Sequence, residues 1–182
     1  MYDRYDLRRA GAVFVRILAA ALLTGASACM GMYLRDRLRR RVRIWTQIGL
    51  FLREVRLRAR LHEPLDAQIE ALSENRELES LTFLADCAAR CRQGYPLPQA
   101  WTASVGAFAG TRDLSRAHRQ MLMQCVPALS DADSLRVDAL LDLYETRAAQ
   151  ALETAVQTDA SVGPLCVRVC AAAGLLLGIL IL

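Results

Sequence analysis

From Ala10 to Leu34 the apolar pattern is broken by one charge, Arg16, and Ile17 to Leu34 gives 18 uncharged residues. That is the lower limit for crossing about 30 Å of hydrocarbon as a helix, with Arg16 able to snorkel to the near interface. Gly25, Ala28 and Gly31 offer small residues for close contact with another helix. The pattern then changes. Arg35 to Leu61 reads RDRLRRRVRIWTQIGLFLREVRLRARL, in which Trp45, Ile48, Leu52, Val55 and Ala59 recur at spacings of three and four. Such spacing lines one face of an α-helix. Leu50, Phe51, Leu57 and Leu61 widen that stripe beyond a coiled-coil seam, as a helix in a bundle requires. No Gly or Pro stands between Tyr33 and Ile48, so the apolar helix and the amphipathic one are expected to be nearly continuous.

Further along, Glu63-Pro64 marks a break, and Leu65, Ile69 and Leu72 form the stripe of a second helix after Pro64. Ser73-Glu74-Asn75 reads as a turn, and Leu78, Leu81, Leu84, Ala85 and Ala88 as the start of a third helix. Its stop is at Gln93-Gly94-Tyr95-Pro96, with Gly94 in the left-handed position. Pro98 opens a helix through Ala100, Trp101 and Val105, and Gly106 and Gly110 loosen the next link. Asp113 to Val126 predicts another helix, with Leu114, Ala117, Met121, Leu122 and Cys125 on one side and Pro127 ending it. Ser130 or Asp131 is a plausible N-cap for a long helix through Leu140, Leu141, Tyr144, Ala148, Ala151 and Ala155. No stretch alternates at period two for long enough to propose a strand. Val169 to Leu182 is uncharged but only 14 residues long, so a second membrane segment must reach back past Arg168 toward Gly163-Pro164.

The expected architecture is therefore all-α: a tail at 1–9, a transmembrane helix at 10–34, a helical bundle at 35–159 opened by an Arg-rich juxtamembrane helix at 35–61, and a C-terminal transmembrane helix at 160–182. Charge adds an orientation. All 23 basic residues are arginine; residues 35–60 carry ten of them against two acids, while residues 61–159 carry eight against fifteen acids. Six arginines within nine residues, Arg35, Arg37, Arg39, Arg40, Arg41 and Arg43, follow the first span, against three in the tail. The positive-inside bias then makes the bundle cytosolic in a protein of the cell membrane. A basic segment beside the apolar one suits anionic membrane lipids, and these six arginines are the candidate membrane-surface contacts; nucleic acid would want the basic patch on the free face of the bundle. Glu70, Glu74, Glu77 and Glu79 cluster near one turn, a solvated face or a candidate docking surface for a basic partner.

Chemistry is sparse. The chain has no Gly-rich phosphate loop, nucleophile elbow, HExxH or CxxC, which argues against an enzyme, a small-molecule substrate and a cofactor. Cys87 and Cys91, four apart on one helix, are packing residues or, in a rival reading, a membrane-tethered thiol or metal sensor. Trp101 reads as a core anchor. Ala26-Ser27-Ala28 before Cys29 resembles a cleavage or lipidation site, but the apolar run continues to Leu34 and meets arginines instead of a polar linker.

Four stretches resemble the stage III sporulation protein AB family: RDRLRRRVRIWTQI with FLREV (Arg35–Ile48, Phe51–Val55); Pro64-Leu65; LTFLADCAARCRQGYPLPQAW (Leu81–Trp101); and GPLCVRVCAAAGLLLGILIL at Gly163–Leu182. The third is the most specific, similar to the family's Gly-x-Pro-x-Pro-x-Ala-Trp pattern. Before its long helix the family usually has Leu-Gly-x-x-Asp with a later Gln; Ala128-Leu129-Ser130-Asp131 stands there without that Gly or Gln. The resemblance implies a non-enzymatic platform subunit of a secretion-like channel between mother cell and forespore, held in the mother-cell membrane. It also implies a bundle similar to the cytoplasmic domain of the type II secretion F protein, working with other channel subunits and a cytosolic ATPase.

Overall fold

The computed structural model describes residues 3–130 and 134–181; its side chains are described at residues 19, 21–22, 24–110, 113–130, 136–177 and 179. Among these residues there are six α-helices and no strand: α1 (Asp3–Arg60), α2 (Leu65–Ser73), α3 (Phe83–Arg92), α4 (Leu97–Ala107), α5 (Arg116–Ser130) and α6 (Ser134–Ile181). Short 3₁₀ turns stand at Arg76–Leu78 and Ala109–Asp113. The all-α expectation holds, and the apolar and amphipathic segments before Arg60 are one uninterrupted helix.

Local chemistry explains the helix ends. After α1, His62 takes a left-handed φ of 58°; its N–H donates to Ala59 O at 3.0 Å and that of Glu63 to Arg58 O at 3.3 Å. Gly94, at φ 92°, closes α3 in the same way, with Tyr95 N–H donating to Arg90 O at 3.2 Å. Both patterns satisfy carbonyls that a helix end leaves open, and only the second uses the glycine that tolerates this conformation without strain. Ser115 Oγ accepts from His118 N–H at 3.2 Å at the start of α5.

Several expected details are corrected. Leu57 and Leu61 are 57 % and 73 % exposed instead of widening the buried stripe. At about 100° per residue Leu57 lies on the far side of the helix from Val55, and Leu61 lies beyond its last turn. The third helix begins at Phe83, not Leu78, because Asn75 Oδ1 accepts from Glu77 N–H at 2.9 Å and fixes a local turn. Leu78 and Leu81 are buried all the same, whereas Ala85 and Ala117 are exposed. Pro127 lies inside α5, close enough to the end that losing one N–H is tolerated. Ser130 is the last residue of α5, its hydroxyl donating to Val126 O at 3.0 Å, so it does not cap α6; Asp131 lies outside the described residues. The final apolar segment does not start a new helix: α6 passes through Gly163 and Pro164.

The chain divides into two compact units, Met1–Arg39 with Gln157–Leu182, and Arg40–Val156. In the first, α1 and α6 segments pair in antiparallel register. A Cβ on Gly31 would stand 3.1 Å from Val167 Cα, and one on Gly174 would stand 3.1 Å from Thr24 Cα. Thr24 Oγ1 donates to Gly174 O at 3.3 Å. Glycine at both crossings lets the backbones approach this closely. Gly25, expected to share this role, has nothing within 4 Å. Away from the seam, large apolar side chains such as Met30, Tyr33, Val169 and Leu176 are exposed. Among the described residues one stretch, Arg136–Leu177, is helical, long and apolar enough to cross a membrane. The expected span at 10–34 falls in part on residues whose side chains lie outside those described.

The second unit holds the core. Trp101 is fully buried, stacked on Phe51 at 5.6 Å between centroids and edge-on to Phe83 at 5.2 Å. Its Nε1–H donates to Leu122 O at 2.8 Å, joining α4 to α5. The anchor reading of Trp101 is correct. Ile44, Trp45, Ile48, Leu52 and Val55 are buried along α1. From α6, Leu141, Tyr144, Ala148, Ala151 and Ala155 are buried, and Arg56 of α1 pairs with Asp142 at 3.2 Å and Glu145 at 3.0 Å.

Candidate interaction surfaces

The Arg-rich segment divides between the units. In the first, Arg37 and Arg39 are exposed, and Arg35 is half-buried with its Cγ near Gly163. In the second, Arg40 and Arg43 are exposed, while Arg41 is half-buried with its Nε enclosed. Three to four residues make one helical turn, so Arg39, Arg40 and Arg43 share a side of α1 whereas Arg41 falls away from it. Arg41 sits close enough to His118 to oppose its protonation. Burial, and then the Arg41 charge, hold the His118 imidazole below its ordinary range. The same imidazole stands edge-on to Trp45, centroids 4.8 Å apart.

Glu74, Glu77 and Glu79 are exposed around the junction between α2 and the first 3₁₀ turn, and Glu70 joins them from α2. Glu70 reaches Arg92 at 3.9 Å, a pair exposed on both sides and so worth little to stability. The four carboxylates thus form a solvated acidic face in which, among the described residues, only Glu70 has a basic neighbour within an ion-pair distance.

The cysteine pair behaves differently. Cys87 is fully buried in the core and its thiol is pushed up to about 12, by burial first and then by Cys91 and Asp86. A thiol so placed stays protonated at neutral pH, whereas metal binding and thiol exchange both need the thiolate. Cys125, also buried, is pushed up to about 12 by burial alone. Among the described residues no group of three or more His, Cys, Asp or Glu side chains is placed to hold a metal ion. Asp86 is held below the usual carboxylate range by the nearby Ser104 hydroxyl first and by Arg90, whose Nε donates to Asp86 Oδ2 at 3.1 Å, against the cost of burial.

Periodicity could not have found two of these features. Arg56 lies among other arginines in sequence, and its carboxylate partners are 86 and 89 residues away. Arg40 and Arg43 share a cavity with Ser80 and Thr82, which nothing in a local pattern connects to them. A family model described as Stage III sporulation protein AB matches residues 16–182. No curated protein and no solved structure matches the chain.

Proposed function

The chain belongs to the stage III sporulation protein AB family, and on that premise we propose that it is a non-enzymatic platform subunit of a secretion-like channel complex built between mother cell and forespore. The observation that carries this reading is the extent of the match, which takes in the C-terminal apolar segment and the whole bundle, and starts inside the first apolar segment. On this reading the two apolar segments sit in the mother-cell membrane as a helix pair closed at Gly31 and Gly174. Exposed Met30, Tyr33, Val169 and Leu176 suit lipid as their neighbour, since small residues and not hydrophobic burial hold helices together there.

The bundle, Arg40–Val156, works in the cytosol by contact. The exposed arginines at 37, 39, 40 and 43 meet anionic headgroups, each adding about 1 kcal/mol near such a surface. The acidic face at Glu70, Glu74, Glu77 and Glu79 meets a basic surface on the cytosolic ATPase or on another channel subunit. Opposite charge there speeds encounter and fixes register more than it adds affinity. Neither nucleic acid nor a small-molecule substrate is required. The protonated Cys87 thiol speaks against the thiol- or metal-sensor reading.

The test is site-specific photo-crosslinking in sporulating cells, with the crosslinker at Glu74. The reading expects the ATPase or a channel subunit in the adduct. Adducts containing neither, from cells in which the complex is assembled, would overturn the docking role.

A further inference from the structure

Beside the first residues of the bundle lies a cavity of 430 Å³. Arg40 and Arg43 line it from α1, Ser80 and Thr82 from the segment before α3, and Ile44 and Phe108 give it an apolar wall. Both arginines are exposed and, among the described residues, neither makes an ion pair, although Arg56 and Arg58 further along the same helix do. The segment opposite is fixed: Ser80 N–H donates to Gln47 Oε1 at 3.1 Å. Thr82 occupies the N-cap position of α3, yet its hydroxyl caps nothing. Asp113 also lines the cavity and has an interaction of its own; with its charge counted, the lining remains net positive.

We propose that Arg40, Arg43, Ser80 and Thr82 form a defined phosphate-binding site. The donor set decides the ligand. Two arginines and two hydroxyl-bearing residues line the cavity from different elements, a donor set that matches the several oxygens of a phosphate. A carboxylate would be satisfied by one guanidinium alone. The apolar wall gives a phosphate ester something to rest its carbon chain against, so the headgroup of an anionic lipid and free phosphate are the two sources of this chemistry. The site sharpens the membrane-surface reading given above and rests on it for the lipid source. It differs in a decisive way: a diffuse basic surface has no use for Ser80 or Thr82.

The experiment uses the full chain in nonionic detergent, with retained lipid counted by native mass spectrometry. Phosphatidylglycerol is compared with phosphatidylcholine, and inorganic phosphate is titrated without lipid. Ser80→Ala with Thr82→Val leaves the charge unchanged and should weaken the phosphate ligand about tenfold, as loss of hydrogen bonds to a charged group does. Arg40→Gln with Arg43→Gln should weaken it further. The equally charged control Arg53→Gln with Arg60→Gln, at exposed positions further along α1, should stay within about twofold, as expected for substitutions away from the site. Melting temperatures establish that each variant is folded, and the hydroxyl pair, lying at the surface, serves if the arginine pair fails to fold. Equal losses for both arginine pairs with no effect of the hydroxyls would overturn the pocket and leave the diffuse membrane contact standing. Wild-type protein that prefers phosphatidylglycerol no more than phosphatidylcholine, yet saturates with inorganic phosphate through these four residues, would end the lipid reading and keep the site. Saturation by neither ligand overturns the proposal.

Discussion

Leu52 is 2 % exposed on the buried face of α1, and Leu52→Asp tests whether that face is what holds the bundle together. Losing the leucine removes about 1.5–3 kcal/mol of apolar burial. The aspartate cannot stay charged in the core and takes up a proton instead. At pH 7 that protonation costs a carboxyl of ordinary pKa about 3.9 roughly 4 kcal/mol. Together the two effects reach about 6–7 kcal/mol, against a total of about 5–15 kcal/mol for a domain of this class. Residues 40–156, produced without the flanking apolar segments, should melt cooperatively by circular dichroism, and the Leu52→Asp segment should be unfolded or nearly so at pH 7. Two controls separate the causes. Arg53→Asp, one residue along on the exposed side, should melt near wild type. Leu52→Asn cannot shed its polarity by protonation, so only the aspartate variant should recover stability between pH 7 and pH 4. A Leu52→Asp segment that melts cooperatively at pH 7 within about 1 kcal/mol of wild type would refute the reasoning and place this stripe against lipid or a partner.

Three further outcomes rest on local substitutions. Gly31→Leu, which forces a side chain against Val167, should lower the thermal stability of the full chain in detergent and weaken cysteine crosslinking between the paired segments, whereas Gly25→Leu should be tolerated. Reversing Glu74, Glu77 and Glu79 to Arg, which spares the Glu70–Arg92 pair, should slow association with the ATPase and flatten its salt dependence without moving the melting temperature. His118 is held below 6.5 in the fold, so the unfolded chain binds its proton more tightly, and stability should fall as pH drops below 6.5 toward the folded value. His118→Gln should flatten that part of a urea-stability profile taken against pH.

Much of the bundle was legible because large apolar residues at helical spacing have one place to go. Trp45, Ile48, Leu52, Val55 and Trp101 are all buried, and the glycine and prolines after α3 stop it where they should. Small residues were harder: Ala85 and Ala117 continue an apolar pattern but cost little when exposed, so the period overstated their burial. Pro127 predicts a stop, yet a single lost N–H near a helix end does not break a helix that packing supports. The candidate surfaces were only half legible. A run of six arginines announces a basic segment, but which of them turn inward, like Arg41, and which meet Ser80 and Thr82 depends on helical rotation and on a loop some forty residues away.

The central claim is that a cytosolic bundle is tethered by apolar segments on both sides of it, and topology mapping tests it most directly. Reporter fusions at Ser73, in the bundle, and after Leu182 should report opposite sides of the membrane, with Ser73 cytosolic and the other end outside. A Ser73 reporter active on the outer side would contradict the account, because the acidic face could then meet no cytosolic ATPase.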